Sequence, residues 1–186
     1  MEKSYSNKVC PVERSGALEM PIRKLVHNPV KILKPYISTG DKVLDFGCGP
    51  GFFTFAMAQL AGESGLVYAA DLQDGMLDIV RKKIARYNMQ NRIKLHKCEA
   101  GAINLNETFD FILAFYVVHE IGNQNSAFQE LKRILKPGGK ILIIEPDFHV
   151  TKSSFREMII KLENAGFSIK PSKKLIFSRS ILGINS

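Results

Sequence analysis

Apolar residues recur along the chain in short blocks of two kinds, strand-like runs and helix-spaced stripes, and the blocks alternate. Asn28 followed by Pro29 reads as an N-cap with proline at the first helical position, and Val30, Leu33 and Ile37 then fall on one helical face. Lys42-Val43-Leu44-Asp45-Phe46 is short, mostly apolar and closed by glycines, as a buried parallel strand requires. A helix is predicted over about residues 52–60 and a strand over 65–71. A further helix begins near Asp74 with Leu77, Val80, Ile84 and Tyr87 on its inner face. Residues 93–97 alternate like an edge strand, whereas 109–118, charged only at Asp110, suit a central strand covered on both faces. A helix over about 125–135 is stopped by Lys136-Pro137-Gly138-Gly139, and 140–144 supply a fifth strand. Ser154-Phe155-Arg156-Glu157 has the form of a capping box, after which Phe155, Met158, Ile159 and Leu162 share a face until Gly166. Residues 167–169 and 174–183 read as two strands close enough in sequence to pair antiparallel.

Strands that alternate with helices predict an α/β fold, an open parallel sheet with helices on both faces and a ligand crevice at the C-terminal ends of its strands. Residues 1–27 show no period and read as an N-terminal arm or lid; no linker or repeat interrupts 28–186, which reads as one domain. At 186 residues, with 45% hydrophobic and 24% charged residues, the composition is that of an ordinary globular chain. No apolar stretch reaches bilayer length and the first residues lack a secretory core, so the expected location is cytoplasmic, with no membrane partner. Cys10, Cys48 and Cys98 are widely spaced and are expected to be free thiols.

The formal charge of +8 is uneven. Arg81, Lys82, Lys83, Arg86, Arg92, Lys94 and Lys97 follow one another without an acid between them, and a second basic stretch begins after Thr151. Solvated faces are the ordinary reading of such runs, and nucleic acid is the second class of partner that the charge allows.

Chemistry concentrates in Val43-Leu44-Asp45-Phe46-Gly47-Cys48-Gly49-Pro50-Gly51, where three glycines at alternate positions join the first strand to its helix. Without Cβ atoms the chain can adopt positive φ and let a ligand touch backbone, and the helix start beyond offers unpaired N–H groups. Asp71, closing the second strand, is placed to grip both hydroxyls of a ribose. Dinucleotide binders share this layout, but their third small residue would fall at Phe52 or Thr54, so a nicotinamide-dependent oxidoreductase is a lesser alternative.

Taken together, VLDFGCGPG, Asp71, Cys98-Glu99-Ala100, FDFILAFYVVHEI and LKPGGKILIIEP resemble, in order, the motifs of class I S-adenosylmethionine-dependent methyltransferases of the small, UbiE-like type. The resemblance implies a Rossmann-like, doubly wound, mainly parallel seven-stranded sheet with an antiparallel C-terminal strand. It also implies S-adenosylmethionine as cofactor. Asp45 and the backbone of Gly47, Cys48, Gly49 and Gly51 would face its methionine part, Asp71 the ribose, Leu72 and Met76 the adenine surface, and Glu99 with Ala100 the adenine edge. Phe115 would lie beside the cofactor. Many members carry Asp where this chain has Glu99, which makes the ribose contact the firmer expectation.

Methyl transfer from a sulfonium needs mainly alignment of the acceptor, and proximity can contribute about 7–11 kcal/mol. A base is needed only where the acceptor must lose a proton. His119 is the first candidate, Tyr116 and Glu120 the alternatives, and His119→Ala is expected to lower turnover without changing cofactor affinity. Ala114-Phe115-Tyr116-Val117 stands where modifiers of amino nitrogens in bases and glutamine carry an N-P-P-Y type segment. Acids are not clustered with metal-ligand spacing, so no metal is expected. A small-molecule acceptor is the leading expectation. The alternatives are an RNA-modifying methyltransferase using the basic surface and a cofactor-binding interaction module without turnover.

Overall fold

The computed structural model describes residues 27–186. The expected arm, residues 1–27, therefore lies outside the described residues except for His27. The strands are β1 (Lys42–Phe46), β2 (Leu66–Asp71), β3 (Ile93–Lys97), β4 (Phe109–Phe115), β5 (Leu135–Pro146), β6 (Phe167–Pro171) and β7 (Ser178–Asn185). The helices are α1 (Pro29–Leu33), α2 (Thr54–Ala61), α3 (Asp74–Arg86), α4 (Gln124–Arg133) and α5 (Lys152–Asn164).

Among the described residues these strands form one seven-stranded sheet in the order β3-β2-β1-β4-β5-β7-β6. β7 runs antiparallel to both its neighbours and the other pairings are parallel. Side chains alternate across a pleated strand, so each central strand feeds two cores. Leu44, Ile112, Ala114, Ile141 and Ile143 cluster with Phe128 and Leu131 of α4 and Met158 and Leu162 of α5. Val43, Phe111, Leu113, Leu142 and Ile144 cluster on the opposite face with Leu33 of α1, Met57 of α2 and Val80 of α3. The sheet is thus doubly wound, and the chain turns opposite ways after β1 and after β4. That divergence opens a crevice at the C-terminal ends of these two neighbours. Among the described residues no helix is long and apolar enough to cross a membrane.

Four boundaries differ from expectation. The Lys136–Gly139 segment, expected to stop α4, lies inside β5: α4 already ends at Arg133, Leu135 pairs with Phe109, Gly138 takes φ 75°, and the register resumes with Phe111 opposite Lys140. The cap of α5 is Thr151, whose hydroxyl accepts the Ser154 N–H at 3.1 Å, so Ser154 stands one turn inside the helix it was expected to open. β4 stops at Phe115 because Tyr116 turns to φ 58°. β7 starts at Ser178 rather than at 174, since Phe177 at φ 55° breaks the extended path. Tyr87, expected on the inner face of α3, caps the helix and is 53% exposed.

Candidate functional site

Beyond Phe46 the chain turns through Gly47 at φ 71° and Gly49 at φ 52°. A Cβ on Gly47 would lie 2.4 Å from Cγ2 and 2.7 Å from Cβ of Val117, so this position demands glycine for space as well as for its backbone. The Gly47 and Cys48 N–H groups donate to the Ala70 carbonyl at 2.8 and 3.0 Å, hooking the loop to the end of β2. Asp71 completes the hook: its Oδ2 accepts the Gly49 N–H and its Oδ1 the Gln73 N–H, each at 2.8 Å. Burial raises the Asp71 carboxyl above its usual range, against the pull of those two N–H groups and of Lys97.

The loop forms one wall of a cavity of about 260 Å³. Asp45, 2% exposed, lines it and accepts the Thr54 hydroxyl at 2.6 Å. Burial, opposed by that hydrogen bond and reinforced by the charge of Asp71, pushes the Asp45 carboxyl up to about 7. Thr54, where a dinucleotide fingerprint would place a small residue, is here a buried hydroxyl held by this acid.

The cavity gathers most of the sequence-predicted residues. Gly47, Cys48, Gly49 and Asp71 line it with Asp45, Leu72 and Met76 adjoin them, and Glu99 with Ala100 stands at one side. Phe115 and Tyr116 line it at the end of β4, whereas Gly51 and His119 are not on its wall. Cys48 and Cys98 are free, buried thiols, and burial pushes Cys98 up to about 12. The predicted list left out Glu130 of α4. Its carboxylate accepts the Ile103 and Asn104 N–H groups at 2.8 and 2.7 Å and so fastens the loop that carries Glu99. Nothing in the local sequence separates Glu130 from an ordinary solvated helix acid.

At the other end, Phe115 and Tyr116 stack at 4.0 Å. The Tyr116 hydroxyl meets the Ser178 hydroxyl at 2.6 Å, and the buried His27 reaches the same hydroxyl at 3.1 Å. A residue held at positive φ by such contacts is over-determined by its surroundings, a common condition at functional sites. Next to it, His119 pairs with Glu145. His27 and Ser178 carry no sequence signal, and Glu145, although it lies within LKPGGKILIIEP, gains its role only when the turn after β4 reaches it.

The first basic stretch makes internal contacts rather than one continuous free face. Arg81 pairs with Asp78, Lys83 donates to the Pro50 carbonyl at 2.8 Å, Arg92 reaches the Ala58 carbonyl, and Lys97 pairs with Asp74 at 2.7 Å.

Residues 37–173 match the family profile described as a methyltransferase domain. The chain is 32% identical over 110 residues to the ubiquinone/menaquinone biosynthesis C-methyltransferase UbiE of Pasteurella multocida, covering 59% of this chain and 41% of that protein. It is 36% identical over 127 residues to a probable cobalt-precorrin-6B C(15)-methyltransferase of Saccharolobus solfataricus, covering 67% of this chain and 62% of the relative. The chain therefore spans less than two thirds of the length of either curated relative. The crystal structure of a SAM-dependent methyltransferase from Aquifex aeolicus superimposes with a TM-score of 0.87 at 26% identity, covering 96% of this chain and all of that one. With a match over most of its length, a doubly wound sheet and the crevice placed at its divergence, the chain belongs to the methyltransferase-domain family and has the class I fold of its S-adenosylmethionine-dependent members.

Proposed function

We propose that the protein transfers a methyl group from S-adenosylmethionine to a small-molecule acceptor. The observation that carries this reading is the convergence of two buried carboxylates, Asp45 and Asp71, on one glycine loop and one cavity. The donor set suits the cofactor. Each Asp71 oxygen holds one backbone N–H and keeps capacity for a second donor, which fits a pair of ribose hydroxyls. Asp45, shielded from solvent, supplies a carboxyl that a cationic amino-acid or sulfonium group beside it would hold ionised. Leu72 and Met76 offer an apolar surface for a flat ring, and Glu99 its polar edge.

When bound, S-adenosylmethionine supplies a methyl group already activated by its positive sulfur. The chain's own task is to hold the acceptor in line, exclude water and, where required, take up a proton. A small acceptor is favoured by the relatives, named for quinone and precorrin methylation, and by the internal use of the first basic stretch. Phe148, Ile176 and Phe177 add exposed apolar surface beyond the C-terminal ends of β5 and before β7.

Calorimetry with S-adenosylmethionine and NAD tests the cofactor. Binding of the first and not the second is expected, and tight binding of NAD alone would overturn the assignment. Methyl label from S-adenosylmethionine, followed in a cell extract, should appear in the small-molecule fraction. Label confined to RNA would replace the acceptor with nucleic acid, and no label anywhere would reduce the protein to a binding module.

A further inference from the structure

Behind the cavity wall lies a second meeting of ionisable groups. Glu145, at the end of β5, is 0% exposed and holds two donors from the turn that follows β4. Its Oε1 accepts the Val118 N–H at 2.8 Å and its Oε2 the His119 Nδ1–H. A carboxylate so far from water persists when its lone pairs are met and a cation can form beside it. Because Nδ1 donates to this acid, the neutral ring carries its proton there and presents Nε2 as an acceptor. The His119 side chain is 27% exposed, so solvent reaches the ring but not its partner.

Among the described residues, few charges face that ring. They are Glu145 from β5, Glu120 on its own turn, and His149 from the loop after β5, stacked at 6.0 Å and 11°. Arg179 of β7 lies opposite Glu145 in the sheet and donates its Nε to the Val150 carbonyl at 3.0 Å. Burial works against the charged imidazole, but the Glu145 hydrogen bond and charge, with Glu120, outweigh it and hold His119 above its ordinary range. Val117 and Glu120, on either side of His119 in sequence, line the cavity, so His119 sits on a turn that contributes to the cavity wall.

We infer that Glu145 is a positioning residue that fixes His119 with Nε2 as proton acceptor at the cavity rim, fitting the site to acceptors that must lose a proton, such as a hydroxyl or a carbon acid. The inference rests on the S-adenosylmethionine reading above. The proton step balances within these groups: the electron pair of the X–H bond stays on the acceptor atom, the proton passes to Nε2, and the Glu145 carboxylate neutralises the imidazolium. A thiolate or neutral amine acceptor would need none of this machinery.

The test begins with the full-length chain labelled with ¹⁵N-histidine, His119 being assigned by comparison with His119→Asn. Long-range ¹H–¹⁵N spectra should show neutral His119 protonated at Nδ1. In Glu145→Gln the amide N–H₂ that replaces one oxygen makes Nδ1 an acceptor, so the proton should move to Nε2 and the titration midpoint should fall by about one pH unit. S-adenosylmethionine affinity should stay within about twofold, while S-adenosylhomocysteine formation with the small-molecule fraction of a cell extract should drop about 10²-fold. An Nε2–H tautomer in the wild type overturns the inference, and that spectrum decides even if the variant does not fold. Equal turnover in the variant, or loss of cofactor binding with it, also overturns the inference by leaving Glu145 a scaffold residue. Failure of the wild type to bind S-adenosylmethionine, with the expected tautomer present, would instead locate the fault in the cofactor reading.

Discussion

The two ends of the cavity are built by different means. The end that holds Asp45 and Asp71 comes from one continuous stretch, β1 through the start of α3, and its contacts are mostly backbone: Gly47 and Cys48 to Ala70, and Gly49 and Gln73 to Asp71. The end around Tyr116 and His119 is made by side chains brought from afar. Tyr116 and Ser178 are 62 positions apart, and His27 and Ser178 are 151 apart. Backbone geometry constrains few residue types, so the first end suits a ligand common to many relatives. An end made of long-range side-chain contacts can change with its acceptor while the sheet stays the same.

That contrast can be broken experimentally, and the largest effect should come from the backbone-built end. Asp71→Asn removes the charge and one acceptor oxygen, so S-adenosylmethionine should bind about 10²-fold more weakly by calorimetry, at about 1.5 kcal/mol for each hydroxyl contact. Unchanged affinity would mean that Asp71 only fastens the loop. Gly47→Ala forces a methyl group into Val117 at an unfavourable φ and should destabilise by about 2 kcal/mol, a fall of about 4–8 °C in Tm. A methyl accommodated there without loss would show that the two ends are mechanically independent.

A pH effect of intermediate size belongs to Asp45. Its folded value of about 7 exceeds that of an unfolded aspartate, so the folded chain binds this proton more tightly. Its contribution to the stability of the free protein is therefore greatest below about pH 4, falls as pH rises, and is gone above about pH 7. A cationic ligand reverses the preference, and affinity for S-adenosylmethionine should rise about tenfold between about pH 6 and pH 8, with proton release on binding near neutrality. A flat profile would remove Asp45 from contact with the cation. The smallest effect is expected from Tyr116→Phe: loss of the Ser178 bond should cost about 1 kcal/mol in chemical denaturation and leave cofactor affinity within roughly twofold.

The same contrast explains what could be read in advance. The alternation of strands and helices, the edge and central placing of 93–97 and 109–118, the glycine turn and the strand-end acid were legible because each depends on local pattern, the buried apolar run or the residue without a Cβ. Thr151 as the cap of α5, β5 continuing through Pro137-Gly138-Gly139, and the early stop of β4 were not. These boundaries turn on a single φ or hydroxyl that competes with an equally plausible signal nearby. The cavity gathered ten of the eleven residues expected around the cofactor, Gly51 being the exception. Glu130, Ser178 and His27 could not be foreseen, nor could the role of Glu145 within its motif, because a buried acid or hydroxyl becomes meaningful only when a remote partner reaches it.

The placement of β7 between β5 and β6 has a consequence for assembly on the ribosome. β6 is translated before β7 and, among the described residues, bonds within the sheet only to it, so β6 waits for that partner until the later strand is inserted beside β5. Ser178 enters with that insertion, and with it the hydroxyl that ties Tyr116 to His27. During synthesis the nascent chain can therefore complete its glycine turn well before it acquires the opposite side of its pocket.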